Sequence, residues 1–301
     1  MRIGMIGLGR MGANMTRRLL GGGHEVVALD RDPEAVKSVA AAGALPAQSL
    51  DDLIRQLPAP RAVWIMVPSG AITEQTIDSL AALLGANDLI LDGGNSYYKD
   101  SMRRAASLAK RGIDFMDVGT SGGIWGLKEG YSLMFGGTPA AAKRMEPVFK
   151  TLAPAADRGW AHVGPSGAGH FTKMVHNGIE YAMMQAYAEG FDLLQHKTEF
   201  KLDLAQIAEV WQSGSVVRSW LLDLTAAALA QNPTMQGIAP YVEDSGEGRW
   251  TAIEGIELGV ALPTISLSLF NRFRSRDKDS FADKLLAAMR NQFGGHAVKR
   301  D

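Results

Sequence analysis

The run GAGHFTKMVHNGIEY, Gly167 to Tyr181, gathers a lysine, a histidine, an asparagine, a glutamate and a tyrosine within a few turns of chain. At about 100° per residue, a helix places Lys173, His176, Asn177 and Glu180 on a common arc of about 100°, with Tyr181 at its margin. Amine, imidazole, amide and carboxylate then converge. Lys173 can serve as a general base if its ammonium deprotonates near neutral pH. Desolvation and neighbouring positive charge promote that, and a nearby carboxylate opposes it. Glu180 lies about two turns from Lys173, so a substrate can sit between them. Phe171, Met174, Val175, Ile179 and Met183 make the rest of the run apolar. Polar groups on such a helix need partners, either a substrate or a buried structural network. His170 can brace the glycine-rich entry to the helix.

The elements that hold this run follow from the pattern along the chain. Short apolar runs at Arg2–Gly7, Glu25–Asp30, Arg61–Val67, Asp88–Asp92 and Ile113–Val118 alternate with helical stretches such as Met11–Leu20, Ile72–Leu84 and Ser101–Lys110. Tyr131–Phe135 and Trp160–Val163 are candidates for further strands. Strand–helix alternation predicts an α/β Rossmann-type, doubly wound parallel sheet. Beyond Pro165 the pattern becomes amphipathic and helical: Ala168–His196, Leu204–Gln212, Val216–Ala230, Ser245–Leu258, Pro263–Phe273 and Asp279–Gln292. The expected organisation is a dinucleotide-binding domain over 1–165 and an all-helical domain over 166–301.

Gly7-Leu8-Gly9-Arg10-Met11-Gly12 reads G-x-G-x-x-G between the first strand and the first helix, the context that gives this motif its meaning. Gly7 permits the turn, Gly9 lets backbone approach a pyrophosphate at the helix N-terminus, and Gly12 lets helix pack on strand. Asp30 ends the second strand, where a carboxylate binds the ribose hydroxyls of NAD and repels the 2′-phosphate of NADP. Arg31 can do the opposite. With Asp32 adding negative charge, the balance favours NAD and leaves NADP open. Val67-Pro68 and Asn95 follow later strands at the carboxyl edge of the sheet, where ligands bind in open α/β folds. Asn95 can bond cofactor or substrate. Ser121-Gly122-Gly123 offers backbone N–H groups to an anion.

Composition narrows the classes. The chain has 301 residues, 46% hydrophobic and 21% charged, with a net charge of −1 and no cysteine. The near-zero charge gives no basic field for nucleic acid or an anionic membrane. The lack of cysteine removes disulfides, thiolate nucleophiles and Cys-ligated zinc, and suits a reducing cytoplasm. Histidines are scattered and no carboxylate cluster suits Mg²⁺, so no metal is expected. MRIGMIGLG is too short and glycine-broken for a signal peptide, and Thr251–Phe270 carries Glu254, Glu257 and Pro263, which argues against a membrane span.

Several segments together, GLGRMGANM (7–15), DGGNSYYKDSMRR (92–104), SGG (121–123), SLMFGG (132–137), GAGHFTKMVHNGIEYAMMQ (167–185) and RWT (249–251), resemble the 6-phosphogluconate dehydrogenase family. These are the decarboxylating enzymes of the oxidative pentose phosphate pathway. The chain resembles a short bacterial-type form without the second helical repeat of longer members. The resemblance implies oxidative decarboxylation of 6-phosphogluconate to ribulose 5-phosphate. In it, Lys173 is the base at the C3 hydroxyl, and Glu180 is the acid that protonates C1 of the enediol. It implies substrate contacts from Asn95, Ser121, Gly122, Gly123, His176 and Asn177. Phosphate contacts come from Tyr181 and Arg272, and where many members have Gly-Lys-Trp-Thr this chain has Arg249-Trp250-Thr251, so that Arg249 takes the lysine's place beside Thr251. Arg290 and His296 correspond to residues that reach a neighbouring subunit's site, which implies at least a homodimer. Ile124-Trp125-Gly126 replaces an acidic family segment. Two other readings are a β-hydroxyacid dehydrogenase that acts on a small unphosphorylated acid without decarboxylation, and a noncatalytic nucleotide sensor. The His176–Tyr181 continuation disfavours the former, and retention of both Lys173 and Glu180 the latter.

Overall fold

A computed structural model describes residues 1–300. In chain order, the first half runs β1 (Arg2–Ile6), α1 (Arg10–Gly21), β2 (Glu25–Leu29), α2 (Pro33–Ala40), β3 (Leu45–Pro46), α3 (Leu50–Gln56), β4 (Ala62–Ile65) and α4 (Ala71–Leu83). It continues through β5 (Leu89–Asp92), α5 (Tyr98–Ala109), β6 (Asp114–Ser121), α6 (Gly126–Glu129), β7 (Ser132–Gly136), α7 (Pro139–Leu152) and β8 (Trp160–Gly164). Among the described residues only helices follow: α8 (Ala168–His196), α9 (Leu204–Gln212), α10 (Trp220–Gln231), α11 (Glu247–Glu257), α12 (Pro263–Arg276) and α13 (Phe281–Gly294), besides short 3₁₀ turns.

The eight strands form one sheet in the order β3-β2-β1-β4-β5-β6-β7-β8. The pairs from β3 to β6 are parallel, β6 and β7 are antiparallel, and β7 and β8 are parallel again. The doubly wound α/β reading holds, with one antiparallel pair that the sequence pattern did not distinguish.

The central strands β1, β4, β5 and β6 are buried on both faces, which explains their continuous apolar character, whereas β3 and β8 at the two edges are not. Successive side chains alternate sides. Ile3, Met5, Trp64, Leu89 and Leu91 face a core with Met15 and Leu19 of α1 and Met145 and Phe149 of α7. Ile6, Val63, Ile65 and Ile90 face another with Leu53 of α3, Leu80 of α4 and Leu108 of α5. Each such fully buried side chain contributes about 1.5–3 kcal/mol.

The chain divides into two compact units, Met1–Asn177 and the part from Gly178 onward. The division falls within α8, whereas strand–helix alternation ends at β8. The second unit has its own small core of Phe191, Ala208, Leu222 and Leu229, with Tyr187 and Trp211 against it. Helix α10 starts at Trp220 rather than Val216, because Ser219 caps it by accepting from Leu222 N–H at 3.1 Å. No helix among the described residues is long and apolar enough to cross a membrane.

Candidate active site

The loop between β1 and α1 has the shape a dinucleotide requires. Gly7 has φ +91°, and a Cβ there would lie 2.4 Å from the Met66 carbonyl oxygen. At Gly12 a Cβ would lie 2.0 Å from the Gly7 carbonyl oxygen, so only glycine allows α1 this close to the strand. Gly9, the N-cap of α1, is different: a Cβ there would meet open space, and no side chain caps the helix. Uncapped N–H groups beside open space are what a pyrophosphate needs. Leu8 is buried, Met11 packs on the core, and Arg10 is exposed. The residues present therefore fit a nicotinamide dinucleotide.

Asp30 does structural work here as well. Its two carboxylate oxygens accept the Leu8 N–H at 2.5 Å and the Asp32 N–H at 2.8 Å, tying the glycine loop to the end of β2. Each oxygen keeps acceptor capacity for a ribose hydroxyl. Arg31 is exposed, and Asp32 caps α2 through Glu34 N–H at 3.0 Å. Val67 is half-buried and Pro68 exposed just beyond β4.

The next two loops along the same sheet edge hang on buried carboxylates. Asp92, fully buried at the end of β5, accepts from Ser96 Oγ at 2.7 Å, Gly94 N at 3.1 Å and Arg104 Nη1 at 3.2 Å. This holds the Gly93–Ser96 loop and presents Asn95 exposed. Arg104 also donates to Glu74 at 2.8 Å, and Arg103 forks onto the same carboxylate at 2.7 and 2.8 Å. The Arg103 hydrogen bond draws the Glu74 carboxyl from 4.5 down to about 2, with Arg104 adding to it against the cost of burial. A depressed carboxyl stabilises the fold above its unfolded value and loses that contribution as pH falls through the folded one. Glu74→Gln is therefore expected to flatten the decline of Tm between about pH 4.5 and 2, where the wild-type protein loses this contribution. Identical Tm–pH curves would contradict it.

Asp117 is the register neighbour of Asp92 on β6 and equally buried. Its oxygens accept the backbone N–H groups of Gly167, at 2.6 Å, and His170, at 2.8 Å. One side chain thus fixes the start of α8 onto the sheet. His170, 2% exposed, contacts Ser101 Oγ at 2.7 Å through Nδ1 and so braces this entry. Gly119 completes the seat, because a Cβ there would lie 2.5 Å from Cβ of Lys173. Lys173, 7% exposed, consequently lies against β6 two residues before Ser121, which ends that strand. Gly122 and Gly123 follow with φ of +133° and +51°. The glycine loop, Val67-Pro68, Asn95, Ser121–Gly123 and Lys173 all belong to the carboxyl edge of one sheet.

Lys173 Nζ lies 3.3 Å from His176 Nδ1, and the same ring nitrogen lies 3.0 Å from Asn177 Oδ1. One Nδ1 cannot both accept from an ammonium and donate to an amide oxygen. The tautomer of His176 is therefore linked to the charge of Lys173. Asn177 is buried and His176 half-buried. Glu180 follows two turns after Lys173 on the unbroken helix α8, half-buried.

In the second unit, Tyr181 is buried beneath Arg272, whose guanidinium lies 3.5 Å from the ring centre. Arg272 also donates to the Glu243 carbonyl at 2.6 Å. Arg249 pairs with the buried Asp244, which Arg276 approaches at 3.8 Å. Thr251 is buried and donates to the Glu247 carbonyl at 2.8 Å, a use of its hydroxyl inside α11. Arg290 and His296 are exposed, on and just after α13, and join none of these contacts. Sequence reasoning singled out neither Asp117 nor the Asp92–Arg104–Glu74 network. A carboxylate inside the apolar run of β6, Asp117, was the available signal, since a buried charge needs partners.

The glycine-loop unit matches the NAD binding domain of 6-phosphogluconate dehydrogenase over residues 2–164, and residues 169–292 match the C-terminal domain of the same enzyme. The chain belongs to the 6-phosphogluconate dehydrogenase family. Among relatives, it is 44% identical over 301 residues to an NAD(+)-dependent, decarboxylating 6-phosphogluconate dehydrogenase of Haloferax volcanii, covering 100% of this chain and 99% of that protein. It is 36% identical over 290 residues to a Bacillus subtilis enzyme of the same description, covering 92% of this chain but 62% of that longer protein. Among solved structures, the Plasmodium falciparum 6-phosphogluconate dehydrogenase superposes with a TM-score of 0.84 at 27% identity, covering 100% of this chain and 66% of that one. A 3-hydroxyisobutyrate dehydrogenase from Mycobacterium tuberculosis shares the fold, with a TM-score of 0.71 at 23% identity over 89% of this chain and 90% of that one.

Proposed function

We propose that this member of the 6-phosphogluconate dehydrogenase family oxidises 6-phosphogluconate at C3 with NAD, in the cytoplasm, and releases CO₂ to leave ribulose 5-phosphate. The observation that carries the reading is Lys173. It is nearly buried and seated over Gly119, at the sheet edge that also carries the dinucleotide loop.

Uncharged Lys173 takes the proton of the C3 hydroxyl. Its partner His176 then holds the ring proton on Nδ1 and donates it to Asn177. Bound NAD supplies the hydride acceptor at C3. With C3 a ketone, the carboxylate becomes that of a β-keto acid. The C1–C2 bond breaks, its electron pair passes into the enolate at C2–C3, and CO₂ departs. The Lys173 ammonium returns its proton to the enolate oxygen. Glu180 then delivers a proton to the carbon that becomes C1 of the product, while Lys173 takes back the hydroxyl proton. Asn95, Ser121, Gly122, Gly123, His176 and Asn177 hold the sugar acid, and Tyr181, Arg249, Thr251 and Arg272 serve its phosphate end.

Asp30 supports a preference for NAD, because a third partner placed near its carboxylate must donate, as a ribose hydroxyl does and a phosphate does not. Asp30→Ala is expected to lower kcat/KM with NAD by about 10-fold or more and to raise the NADP/NAD ratio, since one lost charge-assisted hydrogen bond costs about 1.5–3 kcal/mol. An unchanged ratio removes Asp30 from cofactor choice.

A homodimer completes the site in this reading, with Arg290 and His296 supplied by a second copy. Helix α13 has no buried residue in the single chain, and Phe281, Leu285 and Phe293 on it are exposed, which supports a face made for a partner. The experiment that tests the function is turnover with NAD of 6-phosphogluconate, gluconate and 3-hydroxyisobutyrate in parallel. Oxidation of the phosphorylated acid alone is the expected result. Preference for 3-hydroxyisobutyrate would replace the reading by the β-hydroxyacid one.

A further inference from the structure

The buried carboxylate of Glu247, at the first residue of α11, has no part in the chemistry above. It is 2% exposed. Its Oε2 accepts the Ser245 hydroxyl at 2.6 Å, while Oε1 is buried without a partner. Ser245 connects it to Tyr181: the two hydroxyl oxygens are 3.2 Å apart, and Ser245 N–H donates to Tyr181 Oη, also at 3.2 Å. A serine hydroxyl carries one proton. If that proton goes to Glu247, the bond between Tyr181 and Ser245 must use the phenol's proton. Tyr181 then points its only proton inward and faces outward with a lone pair, which repels an anion.

We propose that Glu247 is a positioning residue for the phosphate end of the substrate: it takes up a proton as the phosphate binds, and so turns Tyr181 from an inward donor into an outward one. This rests on the phosphorylated-substrate reading. With Glu247 protonated, its hydroxyl donates to Ser245 Oγ, Ser245 donates to Tyr181 Oη, and the phenol proton is released towards the phosphate. Glu247 Oε2, Ser245 Oγ and Tyr181 Oη each keep a partner along this chain, and one proton enters from solvent. If Glu247 stayed ionised while Tyr181 donated outward, the Tyr181 and Ser245 oxygens would face each other as two acceptors, at a cost comparable to a lost hydrogen bond.

The surrounding charges set the direction. Arg249 on the same helix is engaged by the buried Asp244, which Arg276 of α12 also approaches. From α12, Arg272 covers the Tyr181 ring. From α8, Tyr181 itself faces the start of α11, where a Cβ on Gly248 would lie 2.4 Å from its ring. An arriving phosphate adds negative charge to this cluster and tips Glu247 towards its neutral form.

The test is calorimetric titration of 6-phosphogluconate into the full-length protein, in buffers of different ionisation enthalpy, between about pH 6 and 9. Wild-type protein is expected to take up more protons than Glu247→Gln, by up to one per site. Its affinity should fall relative to that variant, by up to about tenfold per pH unit, as pH rises across this range. The glutamine amide donates permanently to Ser245, so Glu247→Gln keeps its affinity at high pH. Tyr181→Phe, which removes only the phenol oxygen, should lose the excess proton uptake as well. Equal proton counts in wild-type protein and Glu247→Gln, with both binding, would overturn the inference alone. Absence of binding by wild-type protein would overturn it together with the functional reading.

Discussion

Lys173→Met is expected to lower kcat by about 10²- to 10⁴-fold, the usual contribution of a positioned general base. Methionine keeps an unbranched stem of similar reach, so the contact with Gly119 and the burial of the helix survive while the proton acceptor is gone. NAD binding, carried by the β1–α1 loop, should be unaffected. The measurement is a single turnover followed by NADH absorbance, with cofactor affinity determined separately. The loss should appear in the hydride step itself, because O–H cleavage and hydride departure from C3 are coupled. If NADH forms at near wild-type rate, the base lies elsewhere, and His176 becomes the first residue to reconsider.

The second large effect concerns a residue that touches no reactant. Asp117→Ala leaves two buried N–H groups, those of Gly167 and His170, without an acceptor. Each costs about 1–3 kcal/mol, so the loss is about 2–6 kcal/mol. For a unit of this size that corresponds to a fall in Tm on the order of 10 °C. The first turn of α8 carries Lys173 one turn further on, so loosening it should also reduce kcat at temperatures where the protein remains folded. Thermal melts and steady-state rates measured on the same preparation check both parts. Unchanged Tm would mean that the helix start is held by other contacts, such as Ser166 Oγ to the Phe115 carbonyl at 3.1 Å.

These two residues mark what the amino-acid sequence discloses and what it does not. Lys173 stands out by itself: a lysine on an apolar helix, in register with an imidazole, an amide and a carboxylate. The glycine loop is equally legible, because the spacing of its glycines between strand and helix is a local pattern, even though Gly7 also answers to the distant Met66 carbonyl. The bounds of α8 and α9 follow from their periodicity alone. Asp117, Asp92 and Glu247 are different. Their meaning lies in partners brought by the fold: Gly167 and His170 for Asp117, Arg104 for Asp92, and the pairing of Tyr181 with Ser245 for Glu247. A carboxylate in an apolar strand announces that a partner exists, but periodicity does not say which. The two-residue β3, one of its residues a proline, is too short for any periodicity. The antiparallel turn from β6 to β7 was hidden for a related reason, since the apolar character of a buried strand carries no direction.

The geometry also divides the site residues unevenly. Asn95, Ser121–Gly123, Lys173, His176 and Asn177 are held by the sheet unit, and Tyr181, Arg249, Thr251 and Arg272 by the helical one. In the proposed reaction the first group, together with Glu180 of the helical unit, handles the carbons that change bonding, and the second handles the phosphate. Truncating the second group should therefore weaken binding more than it slows the chemical step.

The central claim is that oxidation at C3 and loss of the carboxylate are one coupled sequence. It is tested most directly by measuring NADH and CO₂ together, in one reaction of the purified protein with NAD and 6-phosphogluconate labelled at C1. The account predicts one labelled CO₂ for each NADH throughout the time course. NADH accumulating without labelled CO₂ would contradict it, and would leave a dehydrogenase that stops at the oxidised acid.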